Sequence, residues 1–121
     1  NPQNRSFVEQ RAKQLGVEDR ISVHRDLDST LNVVFDSVIC LDVLEHLPDP
    51  SKQLEIFLEK LSPEGIALMN WYFYKGNNGE YPFHFDDPEM IEKFFTTLQL
   101  NYIEVFHPFL ITTRAYKPLK K

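Results

Sequence analysis

The run Val33-Val34-Phe35-Asp36-Ser37-Val38-Ile39-Cys40-Leu41, apolar except for Asp36 and Ser37, restricts this chain more than any other feature. It reads as a strand buried on both faces, the signature of an interior strand in a parallel sheet. A parallel neighbour cannot be reached by a tight turn; it needs a crossover, usually a helix. The next residues supply one. Glu45-His46-Leu47-Pro48-Asp49-Pro50 forms a turn in which Asp49 can cap a helix and Pro50 suits its first position. Leu54, Phe57, Leu58 and Leu61 then fall at i, i+3, i+4 and i+7, giving the helix one apolar face. Ser62-Pro63-Glu64-Gly65 stops it, and Ile66 to Phe73 forms a second strongly apolar strand.

The flanks extend the alternation. A helix is expected from Arg5 to Leu15, with Val8, Ala12 and Leu15 on one face and Gly16 as its left-handed stop. Ile21 to His24 reads as a short strand, and Asp26 to Asn32 as a polar loop. Beyond the aromatic loop Tyr74–Phe85, Asp86 or Asp87 caps a helix with Pro88 at its first position. Ile91, Phe94, Phe95 and Leu98 face its core. Tyr102–His107 and Leu110–Ala115 follow as strands joined through Pro108-Phe109, a link short enough only for an antiparallel hairpin. Residues 117–121 read as a solvated tail. This order predicts an α/β fold: a Rossmann-like three-layer sandwich, mostly parallel, with a C-terminal antiparallel hairpin.

Composition narrows the function classes. The 121 residues suit one domain, and 42% hydrophobic with 26% charged residues is an ordinary globular balance. Thirteen Lys plus Arg against eighteen Asp plus Glu give a net charge of -5, which argues against a broad basic face for nucleic acid or anionic lipid. The single Cys40 excludes an internal disulfide and a cysteine-ligated metal cluster. No apolar run approaches the roughly 20 residues that span a bilayer. The N-terminus, Asn-Pro-Gln-Asn-Arg, has neither an initiator Met nor a signal-peptide core. The expectation is a soluble, cytoplasmic domain that begins inside a longer protein.

Ligands of open parallel sheets bind beyond the carboxyl ends of the strands. On this pattern that edge gathers Asp26, Leu27 and Asp28, then Leu41, Asp42, Glu45 and His46, then Asn70, Trp71, Tyr72 and the loop through His84. An acidic, aromatic edge suits a ligand carrying positive charge and a flat ring.

The stretch Phe35-Asp36-Ser37-Val38-Ile39-Cys40-Leu41-Asp42-Val43-Leu44-Glu45-His46-Leu47-Pro48-Asp49-Pro50 resembles the fourth-strand motif of class I S-adenosylmethionine-dependent methyltransferases. Three further stretches are similar to that family. Ala12 to Val17 with Arg20-Ile21 looks like its second helix and third strand, and Leu61-Ser62-Pro63-Glu64-Gly65 looks like its L-x-P-G-G turn, with Glu64 in place of the first Gly. His84 before a capped helix and a final hairpin matches its C-terminal layout. The resemblance covers nearly the whole chain and implies a sheet of order 3-2-1-4-5-7-6. It lacks one part: the four glycines, at positions 16, 65, 76 and 79, form no G-x-G-x-G loop. The expectation is therefore one partial domain. Residues 1–16 form the helix after a missing second strand, 20–116 supply strands three to seven, and 117–121 are the tail. The glycine loop and first two strands would lie upstream of Asn1, leaving either strand 21–24 paired with 33–41, a second chain on the open edge, or an upstream portion to complete the sheet.

The resemblance implies S-adenosyl-L-methionine as cofactor. Asp26 stands where the family binds the adenine amino group, with Leu27 offering backbone and Asp28 competing for the role. Leu41 and Asp42 stand at the aminoacyl end. His46 and His84 are the general-base candidates, should the acceptor need to lose a proton. Trp71, Tyr72 and His84 are candidates for binding a small-molecule acceptor. His24 and His107 are expected inside strands. Some quinone-biosynthesis O-methyltransferases hold a divalent cation through E-x-x-E-H here, which would make Asp42, Glu45 and His46 metal candidates. Because E-H also occurs in relatives without a metal, the favoured reading has Glu45 and His46 bracing the turn, with no metal. The alternative to an enzyme is a non-catalytic methyltransferase-like module for oligomerisation or protein binding. It could form a homodimer through an exposed sheet edge.

Overall fold

The computed structural model describes residues 1–27, 30, 32–110 and 112–119. The chain divides into two compact units, Asn1–Val33 and Val34–Lys121.

In the first unit, helix α1 spans Pro2–Leu15. It starts earlier than the apolar pattern predicts because Asn1 caps it, its side-chain oxygen accepting from the Gln3 N–H at 2.9 Å, and Pro2 occupies the first turn. Gly16 ends it in the left-handed conformation, φ 66°. Of the expected stripe, Ala12 is buried, whereas Val8 and Leu15 are exposed. A single turn of 3-10 helix follows at Glu18–Arg20. Residues 21–24 take no regular secondary structure, so the strand expected there, with His24 inside it, is not formed. Two β-branched residues in an otherwise polar tetrapeptide are too little to fix a strand without a pairing partner.

The second unit holds the sheet. Strand β1 is Phe35–Cys40, helix α2 is Pro50–Lys60 and strand β2 is Leu61–Met69. Helix α3 is Pro88–Asn101, followed by strands β3, Tyr102–Val105, and β4, Arg114–Pro118. Both helices are capped as their sequences require, Asp49 accepting from the Lys52 N–H and Asp87 from the Met90 N–H. Strand order is β1-β2-β4-β3. This reproduces the last four places, 4-5-7-6, of the order expected from the resemblance.

The sheet is not mostly parallel. Only β1 and β2 run parallel, while β4 is antiparallel to both β2 and β3. The final hairpin inserts its second strand beside β2, so one hairpin sets two of the three pairings. The link between β3 and β4 covers residues 106–113, longer than Pro108-Phe109, and His107 lies in it rather than in a strand. Lys117 and Pro118 belong to β4, not to the tail. Leu119 N–H extends this closure by donating to Asn101 C=O at 2.8 Å. The turn signals at residues 62–65 act inside β2: the ladder pairs Phe35 with Leu61, skips to Ser37 with Ile66, then runs regularly.

Within this unit the layers are two, not three. Helices α2 and α3 pack together on the face carrying Ala67, Met69 and Tyr116, where Leu54, Phe94, Ala67 and Met69 are fully buried. Tyr102 joins strand to helix, its hydroxyl donating to Leu54 C=O at 2.6 Å. The opposite face presents Ile39, 67% exposed, and Ile103, 51% exposed. β1 therefore differs from the doubly buried interior strand expected of it: it is an edge strand with one open face. Among the described residues, no helix is long and apolar enough to cross a membrane.

Candidate functional site

The parallel pair β1–β2 ends in a locked corner. The Asn70 N–H donates to Cys40 C=O, carrying the ladder one residue past β2. Asp42, two residues beyond β1, has a left-handed backbone, φ 53°, rare for a residue with a side chain. Two hydrogen bonds hold it there. Its N–H donates to Asn70 Oδ1 at 2.6 Å, and Asn70 Nδ2 donates back to Asp42 Oδ1 at 2.9 Å. Asp42, Asn70, Trp71, Tyr72, Phe95 and Arg114 are among the residues that line a cavity of about 760 Å³. Arg114 is held by Glu104 at 3.2 Å, and Trp71 packs edge-on against Phe94 and Phe95.

A second group forms where the chain leaves this corner. Leu44–His46 is one turn of 3-10 helix in which Leu44 and Glu45 are buried. The loop 74–86 folds back onto it. Phe85 N–H donates to Glu45 C=O at 2.8 Å, and His46 Nδ1 lies 3.1 Å from Phe83 C=O. Inside the loop, His84 Nδ1 lies 3.1 Å from Tyr74 C=O. A carbonyl can only accept, so Nδ1 of each histidine is the donor, and in the neutral imidazole the lone pair is then on Nε2. Their rings meet edge to face at 4.7 Å. Tyr81 stacks on His84 at 5.1 Å, and Tyr72 meets it edge-on at 5.9 Å. The loop is shaped for this. Gly76 has φ 87°, and a side chain there would collide with the Glu80 carboxylate, which accepts from both nitrogens of Asn78.

Glu45, His46 and His84 each offer one metal-ligating atom within 4.8 Å of the other two. Glu45 is 2% exposed, and its Oε2 has no hydrogen-bond partner. Asp42, a metal candidate on sequence, is outside this group, and its Oδ1 is engaged by Asn70. Burial, reinforced by the Glu45 carboxylate, pushes the Cys40 thiol up to about 11.

The structure thus gathers Asp42, Trp71 and Tyr72 on one cavity and His46 with His84 beside it, Tyr72 touching both. Leu41 is half-exposed at the same strand end. Asp26 and Leu27 belong to the first unit, where Leu27 C=O accepts from the Thr30 N–H and hydroxyl. Asp28 lies outside the described residues. Sequence reasoning placed Asn70 on the carboxyl edge without a specific role, and did not single out Glu104 or Arg114. The signal for Asn70 was its place at the end of β2, level with the end of β1.

No family model matches this chain, and no curated protein is similar to it. Among solved structures, a candidate rRNA methylase from Clostridium thermocellum superposes with a TM-score of 0.60 at 18% identity, over 93% of this chain. The chain has a methyltransferase-like fold. It spans 65% of that protein's length.

Proposed function

We propose that this chain is the C-terminal part of a class I S-adenosylmethionine-dependent methyltransferase acting on a small molecule. The observation that carries the reading is the Asp42–Asn70 corner, which fixes a carboxylate and a strained backbone at the carboxyl edge of the parallel pair. With one carboxylate oxygen taken by Asn70, the other is available to an ammonium group, and Leu41 offers backbone beside it. These residues fit the aminoacyl end of the cofactor. When bound, S-adenosylmethionine supplies an electrophilic methyl group on a sulfonium.

The remaining work is positioning and exclusion of water. Trp71 and Tyr72 offer flat walls to an acceptor, and the cavity of about 760 Å³ lies within the usual small-molecule range. The neighbour's description names rRNA, but the net charge of -5 favours a small acceptor over a polyanion. His46 or His84 can take an acceptor proton on Nε2, since Nδ1 of each is engaged.

Amide NMR during titration with S-adenosylhomocysteine tests the reading. Because the sequence has no glycine-rich loop, weak binding is expected, with shifts concentrated at Leu41, Asp42 and Asn70 and lost in Asp42→Ala. Saturating ligand that moves none of these amides sinks it. One observation favours a second reading, a non-catalytic module that assembles through its sheet edge. β1 pairs only with β2 in the described sheet and exposes Ile39.

A further inference from the structure

The geometry points to a divalent transition-metal site formed by Glu45, His46 and His84, a ligand set distinct from the Asp42-Glu45-His46 run that sequence alone offers. Four observations converge. First, the three side chains bring one ligating atom each within 4.8 Å of one another. Second, each histidine has its Nδ1–H committed to a backbone carbonyl, His46 to Phe83 and His84 to Tyr74, both at 3.1 Å. That is the arrangement which orients metal-binding imidazoles, fixing the tautomer and aiming Nε2 at the ion. Third, Glu45 is 2% exposed and its Oε2 has no hydrogen-bond partner. A buried carboxylate oxygen without a donor is costly unless a cation faces it. Fourth, the backbone bond from Phe85 N–H to Glu45 C=O, 2.8 Å, fastens the loop to the turn and brings His84 beside Glu45.

Ligand chemistry selects the ion. Two imidazoles and one carboxylate match zinc and its neighbours in the first transition row, while magnesium and calcium require oxygen shells. Bonds of about 2.0–2.2 Å in a tetrahedral site place ligand atoms roughly 3.4 Å apart. The trio therefore has to contract by up to about 1.4 Å, through side-chain torsions of the exposed His46 and half-buried His84. Three protein ligands leave a fourth position open, as catalytic zinc sites do. The site does not need methyl transfer, and with an ion bound Nε2 of neither histidine is free to take an acceptor proton, so the general-base role proposed above belongs to the metal-free chain.

Titration calorimetry with zinc chloride on the metal-stripped chain tests it. We expect about one ion per chain, with cobalt(II) giving the visible absorption of a tetrahedral site. Glu45→Gln and His84→Gln should each weaken zinc at least tenfold, while Asp42→Asn leaves it unchanged. Magnesium should neither bind comparably nor raise the melting temperature. Absence of zinc binding, binding that survives His84→Gln, or equal loss in Asp42→Asn overturns the assignment. Should a variant fail to fold, imidazole nitrogen NMR on the unaltered chain decides instead: zinc must shift Nε2 of His46 and His84, and not that of His24 or His107.

Discussion

Cys40 ends β1 with 6% of its surface exposed, directly before the corner made by Leu41 and Asp42. Its thiolate would have to form in that buried setting and near the Glu45 carboxylate, which is why its pKa rises from 9.0 to about 11. The sign follows from the direction. A thiol harder to ionise when folded contributes stability that is complete below pH 9.0 and disappears between there and about 11. Urea unfolding at stepped pH should show the native chain losing stability over that window relative to Cys40→Ala. At neutral pH, alkylation should be slow in the folded state and fast in denaturant. Parallel pH curves for the two proteins would show that the thiol is not desolvated. The sequence made this residue legible, because a cysteine between apolar neighbours in a strand has nowhere else to go. It could not show that Asn70 reaches from the end of β2 to hold Asp42, since that bond joins residues 28 apart. Nor could it show Glu45, His46 and His84 as one group. The turn and the loop each read correctly by themselves, but their contact is made by backbone bonds that leave no pattern in composition or spacing.

Helices α2 and α3 are the elements the sequence specified best, because each has an Asp-Pro start and an apolar stripe, although Leu61, read as the last residue of the α2 stripe, begins β2 instead. One residue serves both. Asp49 caps α2 and also accepts from the Lys93 ammonium of α3, at 3.0 and 3.2 Å. The hydrogen bond from Lys93, then that from the Lys52 N–H, hold its carboxyl below the ordinary 3.8. A depressed carboxylate contributes stability above its unfolded pKa and loses it as pH falls through the lower folded value. Asp49→Asn should keep most of the cap and lose only the exposed ion pair, a change of at most about 1 kcal/mol. Asp49→Ala loses both, at about 1–2 kcal/mol. Denaturant midpoints at pH 7 and below pH 3.8 check the assignment: the wild-type advantage over Asp49→Asn should shrink in acid. An advantage that persists there would place the effect elsewhere than in the charge. Strands were less legible than helices for a physical reason. A strand's pairing depends on partners distant in sequence, so the two β-branched residues of 21–24 did not suffice to make a strand, and β4 starts four residues later and ends three residues later than its apolar pattern, in register with β2.

At the scale of the molecule the four-stranded sheet is covered unequally. One face is sealed by α2 and α3, whereas β1 forms an edge with Ile39 at 67%, Val34 at 62% and Leu41 at 44% exposed. Natural sheets protect such edges with charge, proline or a bulge at the strand itself. Here the irregularity sits near Phe35, at the start of the strand, and leaves Ser37 to Cys40 in regular register. Strand order was legible only through the resemblance, because burial alone does not tell an interior strand from an edge one: both carry apolar residues, and what differs is the neighbour. The physical expectation is that two copies pair edge to edge through β1. Light scattering after size-exclusion chromatography should show a monomer–dimer equilibrium that shifts with concentration. Ile39→Lys places a charge in the exposed face of that edge and should yield a monomer with unchanged circular dichroism, since Ile39 contributes little to the sealed core. A strict monomer across the accessible concentrations would exclude edge pairing and leave the second reading of function without its physical route. A dimer untouched by Ile39→Lys would move the contact away from β1, and the 51%-exposed Ile103 on the same open face of β3 is then the position to charge next.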